Sequence, residues 1–71
     1  MTYESINYIL GEHYKKTGEE PTYLILPIDD FYNFTSNYEI GTYENILTIS
    51  TNYGIIYLEG KDTVHEPIII A

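Results

Sequence analysis

The order of apolar and polar positions predicts a helix at the start of the chain. Thr2 is suited to cap this helix, and Gly18 is suited to end it in a left-handed conformation. Between them, apolar or half-apolar positions recur at three- and four-residue spacing, which is the pattern of an amphipathic helix. These positions are Ile6, Ile9, Leu10 and His13.

The next segment predicts a buried strand followed by a short helix. Residues 22–26 read TYLIL, with apolar side chains at both alternating positions. This pattern is typical of a strand that is covered on both faces or paired centrally in a sheet. We expect Asp29 or Asp30 to cap a second helix that ends near Asn37.

The last third of the chain predicts mainly strands. Residues 38–44 form either a twisted strand with a bulge at Gly41 or an ordered loop. The side chains of residues 46–50 alternate between two faces, as in a strand. Residues 55–59 follow as the returning strand of a hairpin, in which Gly54 supplies a positive φ. A final short strand covers residues 68–70 and begins at an edge of the sheet, because Pro67 precedes it.

These elements predict one α+β domain over residues 1–71. In it, the N-terminal helix and the short second helix pack on an antiparallel sheet of about four strands. The N-terminus lacks the basic start and long apolar run of a secretory signal, and no stretch is long enough for a membrane span. We therefore expect a cytoplasmic protein.

Charge and composition exclude several classes of function. Eleven carboxylates face three lysines and no arginine, which gives a net charge of −8. Nothing in the chain can neutralise phosphates, so direct binding to nucleic acid or to an anionic membrane is not expected. The absence of cysteine excludes disulfides and the common zinc and iron–sulfur sites.

No residue pattern points to catalysis. No serine or cysteine nucleophile motif occurs, and each of the two histidines has a glutamate only as its sequence neighbour. The side chains of adjacent residues on a helix or strand point in different directions, so these histidine–glutamate neighbours do not predict a catalytic dyad. The His13 ring is expected to be a half-buried packing group. We expect no enzyme activity, no cofactor and no metal site.

The acidic residues are spread along segments with predicted structure and do not form a tail. The dipeptide Tyr-Glu occurs three times, at residues 3–4, 38–39 and 43–44. Carboxylates at fixed points on a folded surface can imitate the phosphates of nucleic acid. A domain of this length is about 29 Å across, and one side of duplex DNA that long carries roughly eight charges. The net charge of −8 matches this value, although an acidic surface also serves solubility alone.

The chain resembles small early proteins of bacteriophages that shut down host functions. It shares with them its size, its acidity, the lack of arginine and cysteine, and a preference for residues with AT-rich codons. Several of these proteins imitate DNA and block host DNA-binding proteins, including the nucleoid protein HU. The resemblance covers the composition of the whole chain, and no motif carries it. It implies a DNA-mimicking inhibitor used in host takeover, whose carboxylates meet Arg and Lys of a basic partner.

The residues expected to bind this partner lie near predicted turns and in the segment 38–44, where side chains are exposed. They are Asp29, Asp30, Glu39, Glu44, Glu59 and Asp62, with Tyr38 and Tyr43 as aromatic anchors. The alternative is a small phage structural or assembly protein that acts through its apolar C-terminal strand. Both hypotheses leave a homodimer open.

Overall fold

The computed structural model describes residues 1–71 and confirms the first helix with its two ends. Helix α1 spans Tyr3–Thr17. The Thr2 hydroxyl accepts a hydrogen bond from the Ser5 backbone N–H at 3.2 Å, and the Ser5 hydroxyl accepts one from the Thr2 N–H at 2.9 Å. This reciprocal capping box satisfies backbone donors at the start of the helix. Gly18, with φ 72, ends it.

The first strand passes into the second helix without a loop. Strand β1 is Tyr23–Pro27 and helix α2 is Ile28–Asn37. The prediction that Asp29 or Asp30 caps α2 is wrong, because Pro27 occupies the cap position and offers no side-chain acceptor. Both aspartates lie instead in the first helical turn, where a negative charge is favourable beside the helix N-terminus. Neither helix has the length and apolarity needed to cross a membrane.

The predicted α+β class is confirmed, with two helices packed on one sheet. The sheet has five strands, close to the predicted number of about four, and it is mixed where an antiparallel sheet was predicted. The remaining strands are β2 Gly41–Tyr43, β3 Ile46–Thr51, β4 Gly54–Lys61 and β5 Ile68–Ile70. Their order is β2-β3-β4-β1-β5, with β4 parallel to β1 and the other neighbours antiparallel. Local patterns predict strands but not their long-range partners, and the β1–β4 pair joins segments some thirty residues apart.

Residues 38–44 contain a regular strand. Gly41 pairs directly with Thr48, so the expected alternative of a bulge is not observed. The turn that follows has positive φ at both central residues, 49° at Glu44 and 66° at Asn45, as in a type I′ hairpin. The predicted second hairpin is confirmed, with Gly54 at φ 97.

Both helices pack on the same face of the sheet. The buried core is one cluster of residues from α1, α2 and alternate positions of β1, β3 and β4: Ile6, Leu10, Leu24, Leu26, Phe34, Ile49, Ile56 and Leu58. No element covers the opposite face, which we call the open face. Its large side chains are Tyr23, Ile25, Tyr43, Ile46, Ile55, Tyr57, Glu59, Lys61, Ile68 and Ile70, as the pairing registers place them. The protein therefore has two layers, helices on sheet.

Candidate functional site

The parallel pairing of β1 and β4 brings several carboxylates to one end of the sheet. Pro27, the last residue of β1, pairs with Lys61, the last residue of β4. Helix α2 begins directly after β1, so Asp29 and Asp30 lie at this end. Asp62 follows β4 and lies there too. Strands that run in the same direction end together, and here both are followed by acidic residues.

The two outer hairpin segments add carboxylates at the same end. Strand β5 runs against β1, and Ile68 pairs with Ile25, so Glu66 lies just before β5 beside the end of β1. The β2–β3 turn follows the pair of Tyr43 with Ile46. Because β3 is antiparallel to β4, this turn and its Glu44 lie toward the end where β4 terminates.

We call this end of the sheet the acidic edge, and its carboxylates are Asp29, Asp30, Glu44, Glu59, Asp62 and Glu66. Lys61 is its only cationic residue. Six carboxylates and one lysine give this edge a formal charge of −5, while the other five carboxylates and two lysines give −3 to the rest of the chain. Most of the net charge is thus collected along one border of the molecule.

The average number of carboxylates per length of the acidic edge is close to the number of phosphates per length on one side of duplex DNA. Five strands separated by about 4.8 Å place the outer strands about 19 Å apart. Six carboxylates over that length give about one charge per 3 Å. One side of duplex DNA carries half of one charge per ~1.7 Å, or about one per 3.4 Å. The edge can therefore offer a basic protein a charge density like that of DNA.

Few of these charges are neutralised within the chain. The two ion pairs of the protein join Lys15 to Glu12 at 3.5 Å and Lys61 to Glu59 at 3.8 Å. The other five edge carboxylates pair with no cation, and all of them except the half-buried Asp30 are exposed. No three acidic or histidine side chains in the protein converge as metal ligands do. The carboxylates are separate charges at one end of the sheet.

Glu59 lies where the acidic edge meets the open face. Its Oε2 accepts a 2.8 Å hydrogen bond from the Tyr23 hydroxyl, and its Oε1 faces the Lys61 ammonium. The hydrogen bond to Glu59, together with burial and the charge of Glu59, raises the pKa of Tyr23. This carboxylate is therefore held in place by two neighbouring side chains.

Glu44 occupies a backbone conformation that does not suit it. Its φ of 49° is left-handed, which costs a residue with a Cβ about 1 kcal/mol relative to glycine. Type I′ turns favour Asn or Gly at both central positions, and only Asn45 follows this preference. The strained residue is an exposed carboxylate at the tip of the β2–β3 hairpin. Strain of this kind is a reason to look for function.

A groove opens within the acidic edge because β3 and β4 separate there. Their ladder ends at the pair of Thr48 with Tyr57. Beyond it, β3 pairs only with β2, and β4 pairs only with β1. The resulting groove has a volume of about 410 Å³. Its walls include Phe31, Tyr32, Ile46, Leu58 and Glu59. They are mainly apolar, with a carboxylate among them.

The structure brings together five of the six predicted carboxylates and separates Glu39 from them. Glu39 precedes β2 at its far end, where its carbonyl accepts a 3.4 Å hydrogen bond from the Tyr3 hydroxyl. Sequence reasoning missed Glu66. The signal that locates it is the pairing of β5 with β1, which no local pattern shows.

The two predicted aromatic anchors have different environments. The half-buried Tyr38 stacks on Phe34, with ring centroids 4.7 Å apart, and meets the Tyr3 ring edge-on at 4.9 Å. This packing connects α2 to α1, so Tyr38 contributes to the core. Tyr43 is exposed and stands beside the turn that carries Glu44, where a partner can reach it.

Comparison of the chain with protein-family models, with curated proteins and with solved structures gives no match. The functional argument therefore depends on the geometry and charge of the acidic edge.

Proposed function

We propose that this protein is a non-enzymatic, bacteriophage-type inhibitor that binds a basic DNA-binding protein of the host cytoplasm, such as HU, and blocks its binding to DNA. The acidic edge takes the place of the DNA backbone. The observation that carries this proposal is the presence of six carboxylates and a single lysine at one end of the sheet.

Electrostatics explain why such an edge competes with DNA. A basic groove that attracts phosphates also attracts a set of surface carboxylates with a similar average charge density. The set is held by strand ends, a hairpin turn and the first turn of a helix, so little entropy is lost when the charges are aligned on binding. Because Coulomb attraction between exposed charges is screened, affinity should fall steeply as salt is added.

The groove in the acidic edge explains how basic side chains are held after the first encounter. Lysine and arginine bury their methylene stems against apolar surface and keep the charged group near a carboxylate. Phe31 and Leu58 supply apolar walls. Asn45 also lines the groove, and its neighbour Glu44 is an exposed carboxylate that pairs with no lysine. The ring of Tyr32, also in the lining, is 60% exposed and can contact a guanidinium group through its face.

The test is competition between this protein and labelled duplex DNA for a basic DNA-binding protein, with HU as the probe. The edge variant Asp29→Asn/Asp62→Asn/Glu66→Gln removes three charges from the acidic edge. The matched variant Glu19→Gln/Glu20→Gln/Glu39→Gln removes three exposed charges elsewhere. At low salt we expect the edge variant to compete at least about tenfold less strongly, and the matched variant to change by about twofold or less.

Two outcomes would contradict the proposal. If the protein fails to displace DNA at any salt concentration, the acidic edge does not act as a DNA mimic for this partner. If both triple variants lose affinity equally, net charge is responsible and the arrangement of the edge is not. A salt titration of the wild-type protein provides a further check, since the proposal requires weaker binding as salt rises.

An assembly function through β5 is the second candidate. Strand β5 has the outer position in the sheet, as the sequence predicted, so its outer side is available for pairing with another strand. It is only three residues long and follows Pro67, which limits the ladder it can form. This candidate predicts a partner whose affinity is indifferent to salt and to DNA.

A further inference from the structure

The open face leaves large apolar side chains in water. Ile55 is 74% exposed, and Ile68 and Ile70 are each nearly half exposed. Both helices lie on the other side of the sheet, so nothing in the chain covers these residues. An apolar sheet face of this kind normally packs against a further layer, and a contiguous apolar patch on a small protein marks a contact surface.

The charge on this face favours a partner that is apolar. Glu59 and Lys61 are the charged residues of the open face, and they pair with each other at 3.8 Å. The Tyr23 hydroxyl donates a hydrogen bond to the same carboxylate. Covering the face therefore leaves no charge without a partner, which is the condition that makes burial of an ion pair tolerable.

A second copy of the same chain meets this requirement. The open face is formally neutral, and the whole net charge of −8 lies on the remaining surface. Two copies repel each other through other surfaces, and their repulsion is least when the open faces meet. A basic partner, by contrast, is attracted to the acidic edge and not to this face.

The face is small, because the two outer strands have three residues each. At about 3.3 Å per residue and about 4.8 Å between strands, the five strands cover roughly 400 Å² per copy. Two copies then cover roughly 800 Å² before the projecting side chains and the flanking turns are counted, which is near the lower end of specific interfaces. A groove of about 470 Å³ beside Tyr43, Ile55 and Tyr57 offers room for projecting isoleucine side chains of the other copy. Under two-fold symmetry, each copy fills the groove of the other copy in the same way.

We propose that a second copy of this chain covers the open face, giving a two-fold homodimer with four layers: helices, sheet, sheet, helices. The two sheets pack about 10 Å apart, as in other face-to-face sheet pairs. The dimer covers Glu59 and leaves outside the interface the five edge carboxylates of each copy that are not on the open face. The proposal does not depend on the identity of any host partner.

The first test is sedimentation equilibrium of the wild-type protein and of Ile55→Lys over a wide concentration range. Ile55 is mainly exposed in the single chain, so the substitution spares the core. It also makes the net charge less negative, so a loss of dimer cannot be attributed to greater repulsion between copies. We expect a wild-type dimer and at least a tenfold higher dissociation constant for Ile55→Lys.

The matched control is Tyr8→Lys. Tyr8 is 67% exposed on α1, in the helix layer, and its replacement by lysine changes the net charge by the same amount. We expect this variant to dimerise like the wild type. Circular dichroism of both variants establishes that each has folded before the sedimentation results are compared.

Methyl NMR of the wild-type protein gives a second measurement that needs no substitution. On dilution, we expect chemical-shift changes at Ile46, Ile55 and Ile70 of the open face and none at Ile6 or Ile9 of α1. A wild-type protein that stays monomeric up to about 1 mM overturns the proposal, because its dissociation constant would then be in the millimolar range or weaker. A dimer that survives Ile55→Lys, with shift changes confined to β5, also overturns it and indicates edge pairing.

Discussion

The hydroxyl of Tyr23 donates a 2.8 Å hydrogen bond to Oε2 of Glu59, a residue 36 positions later in the chain. The two residues lie on β1 and β4, and the parallel register pairs Ile25 with Glu59, two positions after Tyr23. The bond therefore spans the central strand pair of the sheet. It lies where the neutral open face meets the acidic edge, and it connects the two proposed interaction surfaces.

Removing this hydroxyl should weaken the fold. We expect Tyr23→Phe to lower the free energy of unfolding by about 1 kcal/mol, because the bond to a carboxylate is lost from a half-exposed site. Urea unfolding at pH 7 measures the change. A control, Tyr32→Phe, removes a hydroxyl from an exposed tyrosine with no hydrogen-bond partner in the protein and should be nearly neutral. Equal losses in both variants would show that the Tyr23 bond adds nothing specific.

The same bond should make stability depend on pH in the alkaline range. The pKa of Tyr23 is raised above its ordinary value of 10.0, first by the hydrogen bond to Glu59 and then by burial and the charge of Glu59. The folded state therefore holds this proton more tightly than the unfolded state. Its contribution to stability is complete below pH 10 and is lost as pH rises through the raised pKa. The stability difference between the wild type and Tyr23→Phe should shrink above pH 10, and a constant difference would contradict this.

Relieving the strained turn should stabilise the protein. Glu44→Asn places a residue that tolerates left-handed φ in the first central position of the β2–β3 turn. We expect a gain of about 1 kcal/mol, or a melting temperature about 4–8 °C higher for a chain of this size. Glu44→Gln removes the same charge without relieving the backbone, so it should give little or no gain. If both variants stabilise equally, charge and not strain is responsible.

Repulsion along the acidic edge should make stability depend on salt. At 10 mM salt the screening length is about 30 Å, longer than the edge, and at 1 M it is about 3 Å. We expect Asp62→Asn to stabilise the protein by a few tenths of a kcal/mol at 10 mM and not at 1 M. The control Glu39→Gln removes an exposed charge outside the edge and should give a smaller effect. Chemical unfolding with urea, which adds no ions, is the appropriate measurement.

The close contact between Gly60 and Phe31 should not accept a larger residue. A Cβ on Gly60 would overlap the Phe31 ring and its Cβ, where α2 packs on β4. We expect Gly60→Ala to cost about 1–3 kcal/mol, the usual range for overpacking. The double variant Gly60→Ala/Phe31→Gly tests the cause. It should lose less than the sum of the two single losses, because removal of the Phe31 ring and its Cβ makes room for the new Cβ at position 60.

The local sequence determined the helices, most of the strands and the hairpin at Gly54. Helix α1 could be predicted because its ends depend on adjacent residues, Thr2 with Ser5 at the start and Gly18 at the end. The hairpin at Gly54 is equally local, since one residue must take positive φ. The cap of α2 was predicted wrongly because an aspartate pattern favours a cap in general, whereas here Pro27 ends the strand and begins the helix at once.

Only the tertiary structure decided which carboxylates share a surface and which face of the sheet stays open. The acidic residues follow no helical or strand period, so their grouping depends on the parallel β1–β4 pair and on the position of β5 beside β1. Strand partners are chosen by the packing of the whole core, which places both helices on one face. The sequence by itself determined the charge and the elements, because these are local properties. The acidic edge and the open face depend on contacts between residues far apart in the chain, so they could be recognised only in the folded protein.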